Sequence, residues 1–537
     1  MSRTPLFESM IRMLRIASLD GRPGLPPLDE LIEMPAPYRP TRRRFLEAAA
    51  MTGAGIAASA WLEPLAAIPS TARVAIVGAG VAGLNAAYKL KKAGIRADVY
   101  EASARSGGRM FTAKDLMGPG LTTELGGEFI DTNHEETMAL VKEFGLHLLD
   151  MRGPRMGRVK HDAYFFNGRH YTQREAIRAF APIAKKIAAD FDSTEDVVDF
   201  EHEGGGGELD RMSLAEYIEK LGATGWMKEL LDVAFVTEYG LESGEQSALN
   251  LIFLISTKPG TFEPFGDSDE RYKVRGGNER IIEELLKRVS GQVQHRHRLQ
   301  AIRERGAGFR LTFEDANGSS KDVDCDAAMI TIPFTMLREV DIKVDLPPWK
   351  WKAIRELGYG TNAKVMVGFR ERHWRSQGFA GGIFTDETFQ SGWDNSALQL
   401  GLAGGFTFYS GGRLGMEAGQ GTAEEAAARL MPGLERAFLG ITAKRVPDRV
   451  GRFHWPTHPF TKAAYSCFKP GQWTTIAGAE GRPVGNLFFA GEHTSYDFQG
   501  YMNGGAQSGK DAAEALIKTL SLKPAARQYQ AAMALIG

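Results

Sequence analysis

Cysteine is nearly absent: Cys325 and Cys467 are the only two in 537 residues, and they stand far apart. That excludes a disulfide framework and a cysteine metal site, and both thiols are expected to be small buried residues. The 11 histidines are scattered, with no H-E-x-x-H and no C-x-x-C, so no metal is expected. An excess of one charge is missing too. With 65 Lys and Arg against 66 Asp and Glu, the net charge of −1 provides no long-range field to attract nucleic acid or an anionic membrane. The Ala/Gly-rich run 48–62 is weakly hydrophobic and ends at Glu63 and Pro64, which makes it a poor membrane span. Repeats and low-complexity tracts are absent. What remains is ordinary globular composition, 43% apolar and 24% charged, in a chain long enough for two cores.

Val74–Val77 reads as a buried parallel strand and Leu84–Lys92 as a helix, joined by Gly78-Ala79-Gly80-Val81-Ala82-Gly83. In this pattern Gly78 allows the tight turn, Gly80 lets a pyrophosphate approach the backbone, and Gly83 lets the helix pack closely on the strand. The helix N-terminus then faces the phosphates. Glu101 closes a second strand, Ala97–Tyr100. It lies about 20 residues on, where a carboxylate accepts hydrogen bonds from an adenosine ribose and disfavours a 2′-phosphate. Together these features specify a dinucleotide site.

Further motifs follow in order: Gly107-Gly108-Arg109, Glu124-Leu125-Gly126-Gly127, Val274 to Asn278, Thr331-Ile332-Pro333, Lys364, Trp374, Trp455, Tyr465, Phe489-Ala490-Gly491-Glu492-His493-Thr494 and Gly500-Tyr501-Met502. With them the chain resembles the FAD-dependent amine oxidase family, which includes monoamine, polyamine and L-amino-acid oxidases, from about residue 73 to about 520. The resemblance implies an α/β fold: a Rossmann-like FAD-binding domain with an interleaved α+β substrate domain. It implies cofactor contacts at Gly78, Ala79, Gly80, Val81, Ala82, Gly83, Glu101, Ala102, Gly108, Arg109, Gly126, Gly127, Glu128, Leu299, Trp455, Gly491, Glu492, Gly500, Tyr501 and Met502. Within that set, Glu492 caps the following turn or meets a ribityl or phosphate group. Arg109 counters the pyrophosphate or supports the flavin ring, and the Met502 amide meets a flavin carbonyl.

Three residues are expected to carry the chemistry. Lys364 lies in an apolar strand, where a lysine is usually paired or snorkelling. The resemblance places it at a water near flavin N5, where a partly desolvated amine shuttles protons. Tyr465 and Tyr501 match two aromatics that flank the amine in monoamine oxidases; the plainer reading makes them core filling. Ala464 stands where covalent monoamine oxidases carry a flavin-linking cysteine, so FAD is expected to be non-covalent.

The implied reaction is oxidation of a primary or secondary amine by hydride transfer to the flavin, with O2 as acceptor and H2O2 as product. An L-amino-acid oxidase is the alternative, and a desaturase of the carotenoid or protoporphyrinogen type a more distant one. L-amino-acid oxidases carry an arginine after the glycine pair, and here Glu128-Phe129-Ile130-Asp131 stands instead, with Arg155 or Arg158 as other candidates. Glu128 and Asp131 near an entry would attract a cationic amine and repel a carboxylate. Their plainer reading is as solvated loop acids, with Asp131 capping a helix over Glu135–Phe144.

The organisation expected is an N-terminal extension over 1–68, an FAD-binding domain from 73–145, 270–337 and 458–520, and a substrate domain from 146–269 and 338–457. Helices are predicted over Arg174–Phe191, Ser213–Leu221 and Gly504–Leu520, and strands over Gln292–Gln294, Phe309–Glu314, Ala327–Ile332, Ala363–Phe369, Ala397–Phe408 and Asn486–Ala490. Thr41-Arg42-Arg43-Arg44-Phe45-Leu46, with Ala58-Ser59-Ala60 as a cleavage site, resembles a twin-arginine export signal for proteins that fold around a cofactor before translocation. That predicts a periplasmic or secreted enzyme with the export machinery as a transient partner. The alternative is a cytoplasmic protein that retains the segment, with the amphipathic Leu6–Ala17 packed on the body. A homodimer is the expectation from the family.

Overall fold

The computed structural model describes residues 72–195, 197–254 and 268–521. The arginine cluster, Leu6–Ala17 and the whole 1–68 extension lie outside the described residues. Two compact units emerge, each assembled from separated stretches of chain.

The first, the glycine-turn unit, holds 72–110, Glu279–Glu356 and 478–521. Its main sheet has five strands in the order Leu487–Phe489, Ala327–Ile330, Val74–Val77, Ala97–Glu101, Val293–His295, and every neighbouring pair is parallel. Parallel strands are covered on both faces, which is why Val74–Val77 is an unbroken apolar run, buried throughout. The chain leaves Val77 through Gly78 at φ +106° and enters the helix Val81–Lys92. Three lysines in that helix's last turn, Lys89, Lys91 and Lys92, suit its negative end. A second sheet, Ser320–Cys325, Gly308–Glu314, Arg298–Arg305 and Asp341–Lys343, joins the first through Tyr100 stacked on Phe313, centroids 4.4 Å apart.

The second, the Lys364 unit, holds Phe111–Asn278 and Leu357–Ala477. Its seven-stranded sheet runs Arg445–His454, Ala363–Phe369, Gly404–Ser410, Ser391–Asp394, Phe379–Thr385, Lys160–Phe166, Arg169–Tyr171. Alternation along Ala363–Phe369 sends Val365, Val367 and Phe369 into one core with Trp374, Phe406 and Phe408. Met366, on the opposite face, packs with Met117, Leu121 and Leu125. Lys364 shares Met366's face by the same two-residue period, on a strand buried on both sides. The helices Gln173–Asp192 and Leu214–Leu221 each open on a capping box, Thr172 with Glu175 and Ser213 with Glu216.

The units divide the chain at other points than the expected segments do. Residues 111–145 group with Lys364 because Thr112–Lys114 and Thr122–Glu124 pair with each other and pack on Met366. Tyr272–Val274 pairs with Leu148–Asp150 and draws 270–278 the same way. Residues 458–477 follow through the bridge between Tyr359 and Ser466. Pro348–Glu356 belongs instead with the glycine turn, where the fully buried Lys350 donates to the carbonyls of Ala479 and Glu480. Of the strand expected over Ala397–Phe408, only Gly404–Ser410 forms, since Arg372 binds the carbonyls of Ser396, Gln399 and Gly401 and folds that stretch into a loop. The last helix begins at Met502, earlier than expected. Cys325 and Cys467 are both buried. No helix among the described residues is long and apolar enough to cross a membrane.

A Cβ at Gly83 would meet Gly78 O at 2.0 Å and Thr331 Oγ1 at 2.8 Å, whereas one at Gly80 would meet nothing within 4 Å. Gly83→Ala is therefore expected to cost about 1–3 kcal/mol of overpacking and to lose the cofactor. Gly80→Ala should unfold at wild-type denaturant and lose cofactor affinity alone. Denaturant midpoints and flavin content of the two variants check this.

Candidate functional site

Within the glycine-turn unit, Glu101 fastens the turn: Oε2 accepts the Ala79 N–H at 2.8 Å and Oε1 the Ser103 N–H at 2.8 Å. Each oxygen keeps a lone pair for a ribose hydroxyl. The helix N-terminus carries no side-chain cap and no acidic residue in its first turn, so its amides and its dipole are open to an anion. Open space beside Gly80 and a half-buried Ala102 complete a cradle that fits the ADP portion of FAD. Gly107 returns its N–H to Ala79 O at 2.8 Å, and Arg105 braces the same turn through the carbonyls of Ser106 and Gly108 and through Glu279. Arg105 was not anticipated. Its only signal was an arginine directly before Ser106-Gly107-Gly108.

Arg109 Nη1 donates to Glu492 Oε1 at 2.7 Å, and Glu492 Oε2 accepts the Gly500 N–H at 2.7 Å. Glu492 thus ties Arg109 to the glycine turn that precedes Tyr501 and Met502. Gly491, at φ +143°, donates its N–H to Ser508. Tyr501 is buried and Met502 half-buried at the start of the last helix. Leu299 is buried on the second sheet, two residues beyond His297, whose N–H binds Glu101 O.

The Lys364 unit holds the remaining expected residues, arranged around the stretch 124–128. Lys364 Nζ donates to Glu124 O at 3.1 Å, Gly126 O at 2.8 Å and Glu128 Oε2 at 2.8 Å. Trp455 Nε1 donates to Leu125 O at 3.0 Å, and Asn278 Nδ2 donates to Gly127 O at 3.1 Å and Glu128 O at 2.8 Å. Every carbonyl from Glu124 to Glu128 is therefore bound by one of these three side chains. Trp455, expected at the cofactor, spends its only donor on this turn. Lys364 likewise has all three ammonium protons committed, so a water could be served only if one of these bonds opened.

Glu128 and Asp131 differ most from expectation. Neither is solvated. Glu128 is buried between two lysines, with Lys273 Nζ on Oε1 at 2.6 Å and Lys364 on Oε2. Burial pushes its carboxyl up, but the two ammonium groups outweigh that and hold it below the usual range. Asp131 is 1% exposed and accepts the Glu270 N–H at 2.8 Å, and burial raises its pKa well above the carboxylate range. The helix Glu135–Glu143 is preceded by His134, so Asp131 is not its cap. A buried acid of this kind exerts no pull on a cation arriving from solvent.

Aromatic rings adjoin the lysines. Lys364 Nζ lies 5.3 Å from the Trp393 ring centroid and Lys273 Nζ 5.5 Å from that of Phe129. Tyr409, opposite Lys364 in register, is 5.2 Å from Trp393 and places its hydroxyl 2.6 Å from that of Tyr465. Tyr465 is half-buried and also donates to Thr237 O at 3.2 Å. Lys273, Trp393 and Tyr409 were missed by the sequence reading, although Lys273 directly precedes the expected Val274 to Asn278 motif. Arg155 and Arg158 are exposed.

A glycine turn built for a dinucleotide, with a buried lysine among aromatic rings in the other unit, defines a flavin-type oxidoreductase. Residues 81–517 match the family described as flavin containing amine oxidoreductase, and the chain belongs to it. It is 23% identical over 468 residues to amine oxidase [flavin-containing] A of Sus scrofa, covering 83% of this chain and 85% of that one. It is 22% identical, also over 468 residues, to an L-amino acid dehydrogenase of Synechocystis, covering 83% and 94%. Cyclohexylamine oxidase from Brevibacterium oxydans has the same fold, with a TM-score of 0.73 at 20% identity, covering 84% of this chain and 99% of that one. The protein is an oxidoreductase acting on amines, with FAD as its cofactor.

Ala464 is buried and offers no nucleophile, and Cys467 is wholly buried, its Sγ 3.6 Å from Asn250 Nδ2. FAD is thus held without a covalent bond. Acid or heat denaturation is expected to release all the flavin into the supernatant, and flavin left in the pellet would contradict this.

Burial raises Glu124 from 4.5 to about 7, although the Asn278 N–H and the Thr112 hydroxyl both oppose it. The folded protein keeps this proton where the unfolded chain has lost it. Stability therefore falls as pH rises from about 4.5 to about 7 and is flat above, by about 3 kcal/mol for a shift of that size. Glu124→Gln keeps the Asn278 N–H on its amide oxygen, turns the Thr112 contact round so that its NH2 donates to the hydroxyl, and should remove that fall, as read from denaturant unfolding at pH 5 and pH 8.

Proposed function

We propose that the protein oxidises a primary or secondary amine to the imine, which water hydrolyses to a carbonyl compound and ammonia or an amine. When bound, FAD supplies the two-electron acceptor for this step and passes the electrons to O2, giving hydrogen peroxide. The observation that carries the reading is Lys364, an ammonium 4% exposed on a strand and bordered by Trp393 and Tyr409, with Tyr465 hydrogen-bonded to Tyr409. Ring faces accept an amine's carbon and tolerate its nitrogen, charged or neutral. Tyr465, steadied by Tyr409 and Thr237, is assigned to orienting the amine, as is Tyr501. Lys364 enters as a fixed positive charge and donor, and the proton shuttle expected of it requires release of one of its carbonyl partners. The open amides of the helix that follows Ala79 and Gly80 hold the pyrophosphate, Glu101 the ribose, and Arg109, fixed by Glu492, the flavin portion.

One observation favours L-amino-acid oxidation as a second reading. Lys273 and Lys364 bring two positive charges against the single charge of Glu128, so the acid expected to repel a substrate carboxylate is neutralised. Against it stand the absence of arginine from 126–131 and the exposure of Arg155 and Arg158. A peroxide-coupled assay of an aromatic amine and its α-carboxylated parent amino acid decides between them. The amine is expected to show the higher kcat/KM, and a tenfold or greater preference for the amino acid would move the assignment.

We further propose export by the twin-arginine route, supported by Arg42-Arg43-Arg44-Phe45-Leu46 before the 48–62 run. Changing all three arginines to lysine should leave the protein in the cytoplasm, since the receptor reads guanidinium and not charge alone. Full-length wild type found wholly in the cytoplasm of its native host would contradict the route. A homodimer is proposed on the family resemblance alone.

A further inference from the structure

We propose that Glu128 is a positioning residue for the amine oxidation, holding the Lys364 ammonium stationary while Lys273 holds Glu128. This rests on the role given above to Lys364. The geometry is that of a relay of fixed contacts. Lys273 Nζ reaches Glu128 Oε1 at 2.6 Å and is itself anchored on Asn395 O at 3.2 Å. Glu128 Oε2 then takes the Lys364 ammonium at 2.8 Å, and the carbonyls of Glu124 and Gly126 take its other two protons. The side chains of all three members are 6% exposed or less.

Each contact has a separate consequence. Backbone carbonyls orient an ammonium but carry only partial charge. Glu128 is the one formal negative charge hydrogen-bonded to Lys364 among the described residues, so it makes the strongest of the three contacts and sets where the ammonium stands. Lys273 works one step back. It fixes the Glu128 rotamer and so the place at which Oε2 meets Lys364. The three together leave one net positive charge beside Trp393 and Phe129.

A graded release of Lys364 makes the proposal testable. Labelling with an amine-directed acylating reagent at pH 8, read by peptide mass spectrometry in purified holoenzyme, reports how far Lys364 is freed from its contacts. The exposed Lys287, at 68%, serves as internal standard. Relative to wild type, Lys364 should label at least tenfold faster in Glu128→Gln and faster by a smaller factor in Lys273→Met. Glu128→Gln should also lower kcat tenfold or more with KM within twofold, and this loss should vanish in a Lys364→Met background. If Glu128→Gln fails to fold, the faster labelling in Lys273→Met carries the test. Unchanged labelling in both variants, or additive losses with Lys364→Met, would overturn the positioning role while leaving Lys364 in the reaction. A wild-type kcat in Lys364→Met would instead overturn the role of Lys364, and this proposal with it.

Discussion

Three ionic groups buried together, Lys273, Glu128 and Lys364, constrain the Lys364 unit more than any other interaction. Removing charges of this kind from water costs several kcal/mol each, and deleting one partner of a buried pair costs about 3–5 kcal/mol. The arrangement holds only if the chain segments that deliver the charges are fixed to within hydrogen-bond tolerance. Lys364 is delivered by the doubly buried strand Ala363–Phe369, and Lys273 by Tyr272–Val274 paired with Leu148–Asp150. Glu128 is delivered by a turn whose carbonyls from Glu124 to Glu128 are all taken by side chains. Tyr465 apart, the residues expected to touch cofactor or substrate in this unit belong to the turn or hold it. Their chemistry and its support cannot be separated, and a substitution there reports on both.

In the glycine-turn unit, order comes from backbone contact. Gly83 approaches Gly78 so closely that no side chain fits, and Thr331 locks the same turn by donating to the carbonyls of Val77 and Gly78. Glu101 completes it from the next strand. Such a site is preorganised for a pyrophosphate without a flexible side chain, so little ordering entropy is lost on binding. Arg109 and Glu492 extend the same economy, each being the other's partner before any ligand arrives.

What could be read from the sequence was what depends on neighbours in the chain. Val74–Val77, the glycine pattern and Glu101 lie within about thirty residues and follow local rules of turn and strand. Ala363–Phe369 was delimited by its apolar run, and the long helix after Thr172 by its amphipathic spacing. What could not be read depends on distant partners. Glu128 meets Lys273 across 145 positions and Lys364 across 236, and nothing in Glu128-Phe129-Ile130-Asp131 separates a solvated loop from a buried ion cluster. Trp455 is tied to the same turn from far off, its partner Leu125 lying 330 positions away. The overlong strand at Ala397–Phe408 has the converse cause. Leu400 and Leu402 are apolar yet 90% and 83% exposed, so hydrophobicity there did not signal burial.

The central claim, an amine oxidised at bound FAD with oxygen as the final acceptor, is tested most directly by rapid mixing of the purified holoprotein. Without oxygen, an amine substrate should bleach the visible flavin band. Oxygen added afterwards should restore the band with one hydrogen peroxide per flavin. A flavin that stays oxidised with every amine and amino acid offered, in protein carrying stoichiometric FAD, would contradict the account.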